Sequence, residues 1–353
     1  MNTSSLRRIA LPAVAALTVG LTLTACGDKN SGSSSSGGGT LNGGGSTAQA
    51  VAEQTWRADY QKAHSGVTIN YEEVGSGTGV ENFISKAYSF AGSDAFLTTD
   101  QLAQAKDTCG ADAIEVPAYV SPLAVAYNLK GVSSLNLDGE TLANIFNGTI
   151  TKWNDPAIAN DNPGVKLPST AISTVHRSDD SGTTFNFTDY LAQAGGGAWK
   201  SEPNVTWPSD AQGGQGLEGT SGVVGGITDT DGAIGYADDS AVGDLSTAKI
   251  KIGSSYVAPS ASGASKTLGL SPLESGRPAS DMAIKVDRTS TEKGTYPLLL
   301  VSYLIACPTY SDSATADMVK GYLSYIVSDA GQKSGAAAAK SARRPCSPDA
   351  GGA

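Results

Sequence analysis

The sequence predicts an α/β fold built as two lobes, and three observations support this prediction. Short strand-like segments alternate along the chain with segments of helical spacing. The chain has 353 residues, more than a single hydrophobic core usually organises. Two apolar runs, residues 114–128 and 296–306, are suited to cross between the lobes. The first run contains Pro117 and Pro122, which disfavour a helix interior and a central strand, so we expect an extended crossing.

The composition argues against several classes of function. The formal net charge is −10 at pH 7 and no basic block is present, so nucleic acid is not an expected partner. A small anion as ligand is compatible with the negative net charge, because local dipoles can hold it in a cleft of an acidic protein. Only two histidines, His64 and His176, are present, and neither a G-x-S-x-G elbow nor a Walker A motif occurs. We therefore expect no catalysis, no metal and no cofactor.

The first 25 residues are predicted to be a lipoprotein signal peptide. Arg7 and Arg8 precede an apolar run over residues 9–23, and the sequence Leu-Thr-Ala-Cys then ends at Cys26. This pattern predicts export, lipidation of Cys26 and anchoring at the outer face of the cell membrane. An ordinary cleaved signal or a short membrane anchor is the alternative. Residues 26–42 are rich in Ser and Gly and are expected to form a flexible tether.

Three cysteines follow Cys26, and export makes disulfide bonds feasible. Cys109 lies at the end of a polar helix-like segment and Cys307 closes the second apolar run. We predict that these two pair, although spacing alone does not give connectivity. Cys346 then lies in an atypical tail, residues 342–353, which has no apolar pattern.

Three segments place hydroxyl groups and backbone amides where a strand turns into a helix. They are residues 45–48 (Gly-Ser-Thr-Ala), 75–78 (Gly-Ser-Gly-Thr) and 181–183 (Ser-Gly-Thr). Helix N-termini carry unpaired amides and a partial positive charge, and glycine lets the backbone approach a ligand closely. For any one segment, an N-capping Ser or Thr is the simpler explanation. The occurrence of three such segments favours an anion-binding cleft.

Charged residues refine this prediction. Arg177 can bind two oxygens of a tetrahedral oxyanion while Asp179 holds its guanidinium, although an ordinary surface ion pair is the alternative. A carboxylate at Asp94 is reasonable in an anion site when the ligand carries a proton for it to accept. Phosphate has such a proton near pH 7 and sulfate has none, so Asp94 favours phosphate. An Asx turn or an N-cap before the next helix is the alternative for Asp94.

The chain resembles the periplasmic-type phosphate-binding protein of the high-affinity phosphate ABC importer over about residues 43–330. The resemblance is carried by residues 137–142, 150–159, 162–164, 177–185 and 232–236, which include Ile-Thr-Lys-Trp-Asn-Asp-Pro and Arg-Ser-Asp-Asp-Ser-Gly-Thr. It implies a two-lobed, periplasmic-binding-protein-like fold of type II, in which each lobe is a mixed sheet flanked by helices and the ligand lies in the cleft between the lobes. We expect lobe 1 to comprise residues 43–125 and 299–341, and lobe 2 residues 126–298.

Carried over by position, the resemblance implies a set of phosphate-binding residues. In it Asp94 accepts the phosphate proton, Arg177 binds the oxygens, and Asp179 holds Arg177. Ala48 stands where a bulkier aromatic residue is frequent, so only its amide is expected to matter. The full set is Thr47, Ala48, Ser76, Asp94, Arg177, Asp179, Ser181, Gly182 and Thr183.

The expected function is therefore the capture of inorganic phosphate by a monomeric receptor. The expected partners are the membrane permease and ATPase subunits of a phosphate ABC importer, to which the receptor delivers its ligand. One alternative is a receptor for another tetrahedral oxyanion, such as sulfate or molybdate. Another is a surface phosphatase with Ser181 as nucleophile and His176 as base.

Overall fold

The structure is a computed structural model that describes residues 38–342. The predicted signal peptide, the lipidation site Cys26, most of the tether and the tail beyond Ala342 lie outside the described residues. The described part belongs to one compact unit. None of its helices combines the length and the apolar content that crossing a bilayer requires.

The described residues form twelve strands, ten α-helices and one short 3₁₀ helix, Asp239–Ala241. The strands are β1 (Gly39–Gly45), β2 (Val67–Glu72), β3 (Phe90–Ser93), β4 (Ile114–Asn128), β5 (Asn136–Leu137), β6 (Ser173–Arg177), β7 (Gln215–Leu217), β8 (Ala233–Asp238), β9 (Ser246–Thr247), β10 (Lys249–Ile252), β11 (Ser255–Val257) and β12 (Leu299–Ala306). The helices are α1 (Ala50–Ala63), α2 (Ser76–Ile84), α3 (Thr99–Cys109), α4 (Gly139–Phe146), α5 (Pro156–Asp161), α6 (Gly182–Ala194), α7 (Gly219–Asp229), α8 (Ala261–Leu270), α9 (Ser313–Val327) and α10 (Asp329–Ala342). The predicted α/β class is confirmed.

One curled sheet organises the molecule. Its strand order is β2-β1-β3-β12-β4-β8-β6-β7, with β9 paired to β4, and β11-β10-β5 form a separate small sheet. The first half-sheet consists of β2, β1, β3, β12 and the first part of β4, and the second consists of the last part of β4 with β8, β6, β7 and β9. In the first half-sheet, β1 is parallel to β2 and β3, and β12 runs antiparallel to β3. In the second half-sheet, β6 is parallel to β7 and β8.

Strand β4 joins the two half-sheets. Its residues 114–122 pair with β12 and its residues 123–128 pair with β8. The predicted crossing is extended, as a paired strand of 15 residues, and the expectation that its two prolines would disfavour a central strand was wrong. Each half of β4 has one long partner strand. A proline lacks an amide hydrogen, but it can be accommodated when the missing amide would face the side of β4 that has no partner strand.

The predicted tether is too long at its C-terminal end. Residues 39–42 belong to β1, where Gly39 aligns with Val67 and the side chain of Leu41 is fully buried. A single apolar residue in a glycine-rich segment was a weak sequence signal. The backbone hydrogen bonds to β2 nevertheless make these residues part of the folded core.

Helix α7 could not be expected from local propensity, because it contains four glycines among its 11 residues. Val223 and Ile227 of this helix are fully buried against β6 and β8. Gly226 leaves space for the side chain of Leu217, which a Cβ atom there would overlap. Tertiary packing therefore stabilises the helix and fixes the position of its N-terminus.

A disulfide bond joins Cys109, at the end of α3, to Cys307, directly after β12. It is the pair predicted from the sequence, and the two Cα atoms lie 5.2 Å apart. The bond connects two segments that flank the first half-sheet across a separation of 198 residues.

We expect this disulfide to stabilise the protein by about 2–5 kcal/mol, because it restricts the unfolded chain over a long loop. The C109S/C307S variant should therefore unfold at a lower denaturant concentration than the wild type under oxidising conditions. As a control, a reductant should destabilise the wild type and leave the double variant unchanged. Equal stability of the two proteins in equilibrium unfolding would contradict the prediction.

Candidate functional site

The predicted site residues lie where strands of the two half-sheets end. In the first half-sheet, Thr47 follows β1, Ser76 begins α2 after β2, and Asp94 follows β3. In the second, Arg177 ends β6 and Ser181 immediately precedes α6. Parallel neighbours end at the same edge of a sheet, and ligands of α/β proteins bind at this edge. The fold therefore brings together residues that are more than 80 positions apart in the sequence.

Asp94 lies at the centre of a hydrogen-bond network. Its Oδ1 accepts a hydrogen bond from Ser46 at 2.6 Å and another from Ser302 in β12. Its Oδ2 accepts a longer bond, at 3.4 Å, from Thr183 of the second half-sheet. Its backbone amide donates to Oγ of Ser76 at 3.1 Å. The carboxylate thus contacts both half-sheets while it is 2% exposed.

The two oxygens of Asp94 differ in what they can still accept. Oδ1 already accepts two hydroxyl protons, whereas Oδ2 accepts one long bond and keeps capacity for a further donor. Burial raises the pKa of Asp94 above its ordinary value of 3.8, while the bonds from Ser302 and Ser46 and the charge of Arg177 oppose this rise. The N-cap of the following helix is Thr98, so the capping alternative for Asp94 is wrong.

Arg177 and Asp179 form a buried, two-point ion pair. Nε of Arg177 donates to Oδ1 of Asp179 at 2.7 Å, and Nη2 donates to Oδ2. The amide of Gly219, the first residue of α7, also donates to Oδ1 of Asp179 at 3.0 Å. Burial alone would raise the pKa of Asp179, but these partners hold it below its ordinary value. The Arg177 side chain is 3% exposed, so this is not the surface ion pair considered as an alternative.

The hydroxyl groups of Ser76 and Ser181 are oriented by backbone amides. Oγ of Ser76 accepts from the amide of Asp94, and Oγ of Ser181 accepts from the amide of Thr184 at 3.3 Å as the N-cap of α6. A hydroxyl that accepts an amide hydrogen keeps its own proton to donate. The capping explanation is therefore right for Ser181 and is compatible with contact to an anion.

The remaining predicted residues lie in the same region. Oγ1 of Thr47 is 2.8 Å from Oγ1 of Thr220, and the amide of Ala48 donates to Oγ of Ser46 at 3.1 Å. The Ala48 amide, expected to face a ligand, thus already has a partner in the turn. Gly182 and Thr183 form the start of α6, where first-turn amides have no partner within the helix.

Glycine is required where the half-sheets approach each other. A Cβ atom at Gly182 would lie 2.6 Å from Oγ of Ser76 and 2.7 Å from Cβ of Asp94. Gly75 has φ of +87°, and a Cβ atom there would lie 2.7 Å from Oδ2 of Asp179. The strand ends therefore meet across the cleft with no room for larger side chains at these positions.

Several residues that support Asp94 were not predicted. Nδ2 of Asn186 donates to the carbonyl of Asp94 at 2.5 Å, and the buried Arg288 donates to Oδ1 of Asn186 at 2.6 Å. Ser46 lies inside a predicted segment and could have been identified there. Ser302 lies in a strand whose residues are all buried, and one serine in an apolar run was the available signal.

The contacts of His176 do not form a catalytic arrangement with Ser181. Its ring stacks on Trp207 with the ring centroids 4.6 Å apart, and its Nδ1 lies 2.9 Å from the carbonyl oxygen of Arg177. Burial lowers the pKa of His176. This placement gives no support to Ser181 and His176 as nucleophile and base. Within residues 38–342, no group of three or more His, Cys, Asp or Glu side chains is placed to hold a metal ion.

Comparisons with known proteins agree with this architecture. A family model described as a PBP superfamily domain matches residues 30–330. The phosphate-binding protein PstS2 of Mycobacterium bovis (strain BCG / Pasteur 1173P2) is 40% identical over 332 residues, which cover 88% of each chain. The phosphate-binding protein PstS 3 of Mycobacterium leprae (strain TN) is 37% identical over 333 residues, again 88% of each chain.

A solved structure of a high affinity periplasmic phosphate-binding protein (PfluDING), bound with phosphate, has the same fold. It superposes with a TM-score of 0.69 at 22% identity, and the match covers 85% of this chain and 89% of that chain. Together with the family model and the mycobacterial relatives, this places the fold as a type II periplasmic-binding-protein fold. The chain therefore belongs to the PBP superfamily and, within it, to the family of the PstS phosphate-binding proteins.

Proposed function

We propose that the protein is a receptor that binds inorganic phosphate between its two half-sheets and delivers it to a phosphate ABC importer. One observation carries the proposal: a buried carboxylate oxygen with free acceptor capacity, Oδ2 of Asp94, lies among hydroxyl groups, helix N-termini and the guanidinium of Arg177. A donor-rich site that also contains an acceptor suits an anion that carries its own proton. The mycobacterial relatives are named as phosphate-binding proteins, which supports the same ligand.

In this proposal each predicted residue has a defined role. Arg177 binds two phosphate oxygens while Asp179 holds the guanidinium in place. Asp94 accepts the phosphate proton at Oδ2. The donors are the hydroxyl groups and first-turn amides of Thr47, Ala48, Ser76, Ser181, Gly182 and Thr183, and their helix N-termini add partial positive charge. For Ala48, the amide would have to share its hydrogen between Ser46 and the ligand.

Selectivity follows from the buried acceptor. Sulfate, fully ionised near neutral pH, would place an oxygen lone pair against Oδ2 of Asp94 and would leave the carboxylate without a donor. An unsatisfied or repelled buried charge costs a few kcal/mol, and about 1.4 kcal/mol suffices for a tenfold difference in affinity. A receptor for sulfate or molybdate is therefore the less favoured candidate.

We further propose that the predicted lobes close around phosphate and open to release it. The bond from Thr183 to Asp94 and the bond from Asn186 to the Asp94 carbonyl link the half-sheets and require this closed arrangement. A ligand that contacts both half-sheets stabilises the closed form over an open one. Lipidation of Cys26 would hold the receptor at the outer membrane face, where a monomer could dock on the permease.

The first prediction from the proposed function concerns Arg177. We expect R177K to weaken phosphate binding by about 10- to 100-fold. Lysine lacks the planar guanidinium that can bind two oxygens, and it cannot form the two-point contact with Asp179. Isothermal titration calorimetry with phosphate measures the change. The matched control is K130A in the turn after β4, which removes a cation with an 85% exposed side chain and should bind like the wild type. Wild-type affinity in R177K would contradict the assigned role.

The second prediction concerns discrimination between anions. We expect D94N to bind phosphate more weakly and sulfate more tightly, so that the phosphate-to-sulfate affinity ratio falls at least about tenfold. The asparagine amide can donate to sulfate, whereas the carboxylate cannot. The control is D180N, which removes a neighbouring carboxylate that accepts from Thr206 at 2.6 Å and lies outside the Asp94 network. An unchanged ratio in D94N would exclude the proton-acceptor role.

The third prediction concerns stability without ligand. The folded protein raises the pKa of Asp94, so it binds that proton more tightly than the unfolded chain does, and this raised pKa lowers stability as pH increases above 3.8. We therefore expect the stability of ligand-free D94N relative to the wild type to be greater near pH 8 than near pH 4. Denaturant unfolding at several pH values tests this, and a difference independent of pH would contradict it.

A further inference from the structure

Thr47 has a partner across the cleft that no sequence pattern indicated. Its Oγ1 lies 2.8 Å from Oγ1 of Thr220, which is in the first turn of α7, a helix that packs on β6 and β8 of the second half-sheet. Thr220 is 7% exposed, so water does not readily replace this bond. The two residues are 173 positions apart in the chain.

The chemistry of a hydroxyl pair decides which way this bond must point when an anion is present. Each hydroxyl has one proton to donate and two lone pairs to accept with. If Thr47 donated to Thr220, it would turn lone pairs toward the anion. If Thr220 donates to Thr47, the Thr47 proton stays available for the anion. A hydroxyl that accepts a hydrogen bond is also polarised into a stronger donor.

Thr220 is held in place by the same carboxylate that holds Arg177. The amide of the preceding residue, Gly219, donates to Oδ1 of Asp179 at 3.0 Å. Gly219 has φ of +70°, a conformation that suits glycine and allows the chain to turn into α7 at this point. Val223 and Ile227 bury the helix against the sheet. The hydroxyl of Thr220 is therefore fixed relative to the guanidinium.

We propose that Thr220 is a positioning residue of the phosphate site and acts through Thr47. In the closed protein its hydroxyl donates to Oγ1 of Thr47 and directs the Thr47 proton to a phosphate oxygen. The proposal rests on the proposed phosphate-binding function and adds to it a residue from α7, a helix whose role in the site was not predicted.

The test compares substitutions that differ in the hydroxyl group alone. We expect T220V to weaken phosphate binding about three- to tenfold in calorimetric titration, as expected for the loss of one buried hydrogen bond. T220S, which restores the hydroxyl, should bind within about twofold of the wild type. The matched control is T228V on the exposed side of the same helix, where the hydroxyl bonds only to its own helix at Val224, and it should leave affinity unchanged.

A double-variant cycle separates positioning through Thr47 from other effects. In a T47V background, adding T220V should change the affinity less than about twofold, because the hydroxyl that Thr220 directs is absent. A loss that persists undiminished in T47V, wild-type affinity in T220V, or an equal loss in T228V would each overturn the proposal. If the wild type itself does not bind phosphate, the proposed function fails and this inference fails with it. If the wild type binds and T220V binds equally well, the inference alone fails.

Discussion

The buried carboxylate of Asp94 is the constraint on which the rest of the site depends. A negative charge placed away from water is costly unless hydrogen bonds compensate it, and an anion site makes the cost larger. The surrounding structure supplies that compensation: Ser46 and Ser302 satisfy Oδ1, while the Asn186–Arg288 pair holds the backbone carbonyl. These contacts leave Oδ2 as an acceptor of defined direction. In the proposed function, the preference for a ligand that carries a proton follows from which oxygen is left without strong partners.

The second requirement is that both half-sheets reach the same point. Strand β4 pairs with β12 through one half and with β8 through the other, so one strand is common to the two half-sheets, whose strand ends lie close together. Several bonds cross it, among them Thr183 to Asp94 and the amide of Gly77 to the carbonyl of Asp180 at 3.0 Å. Neither half-sheet holds the complete set of donors and acceptors. A ligand that uses all of them gains affinity in the closed arrangement alone, and this coupling is what a transport receptor requires.

The local parts of the site could be predicted because local chemistry specifies them. Gly75 and Ser76 mark a turn into a helix, and Ser181 is an N-cap. Arg177 and Asp179 are two positions apart, which allows the guanidinium to donate two hydrogen bonds to the carboxylate. The apolar runs likewise identified the two long central strands. The prolines in β4 misled the prediction of pairing, since whether a missing amide matters depends on which side of the strand has a neighbour.

The sequence by itself determined the α/β class, the turn segments between strands and helices, and the short-range pair of Arg177 and Asp179, because capping, glycine turns and short-range ion pairs act over a few residues. The tertiary structure alone decided which distant side chains complete the site. Ser302 bonds to Asp94 over 208 positions and Thr220 to Thr47 over 173. A serine in a buried strand and a threonine in a glycine-rich segment carry little local signal, since their roles come from hydrogen bonds that exist only after the half-sheets have packed together.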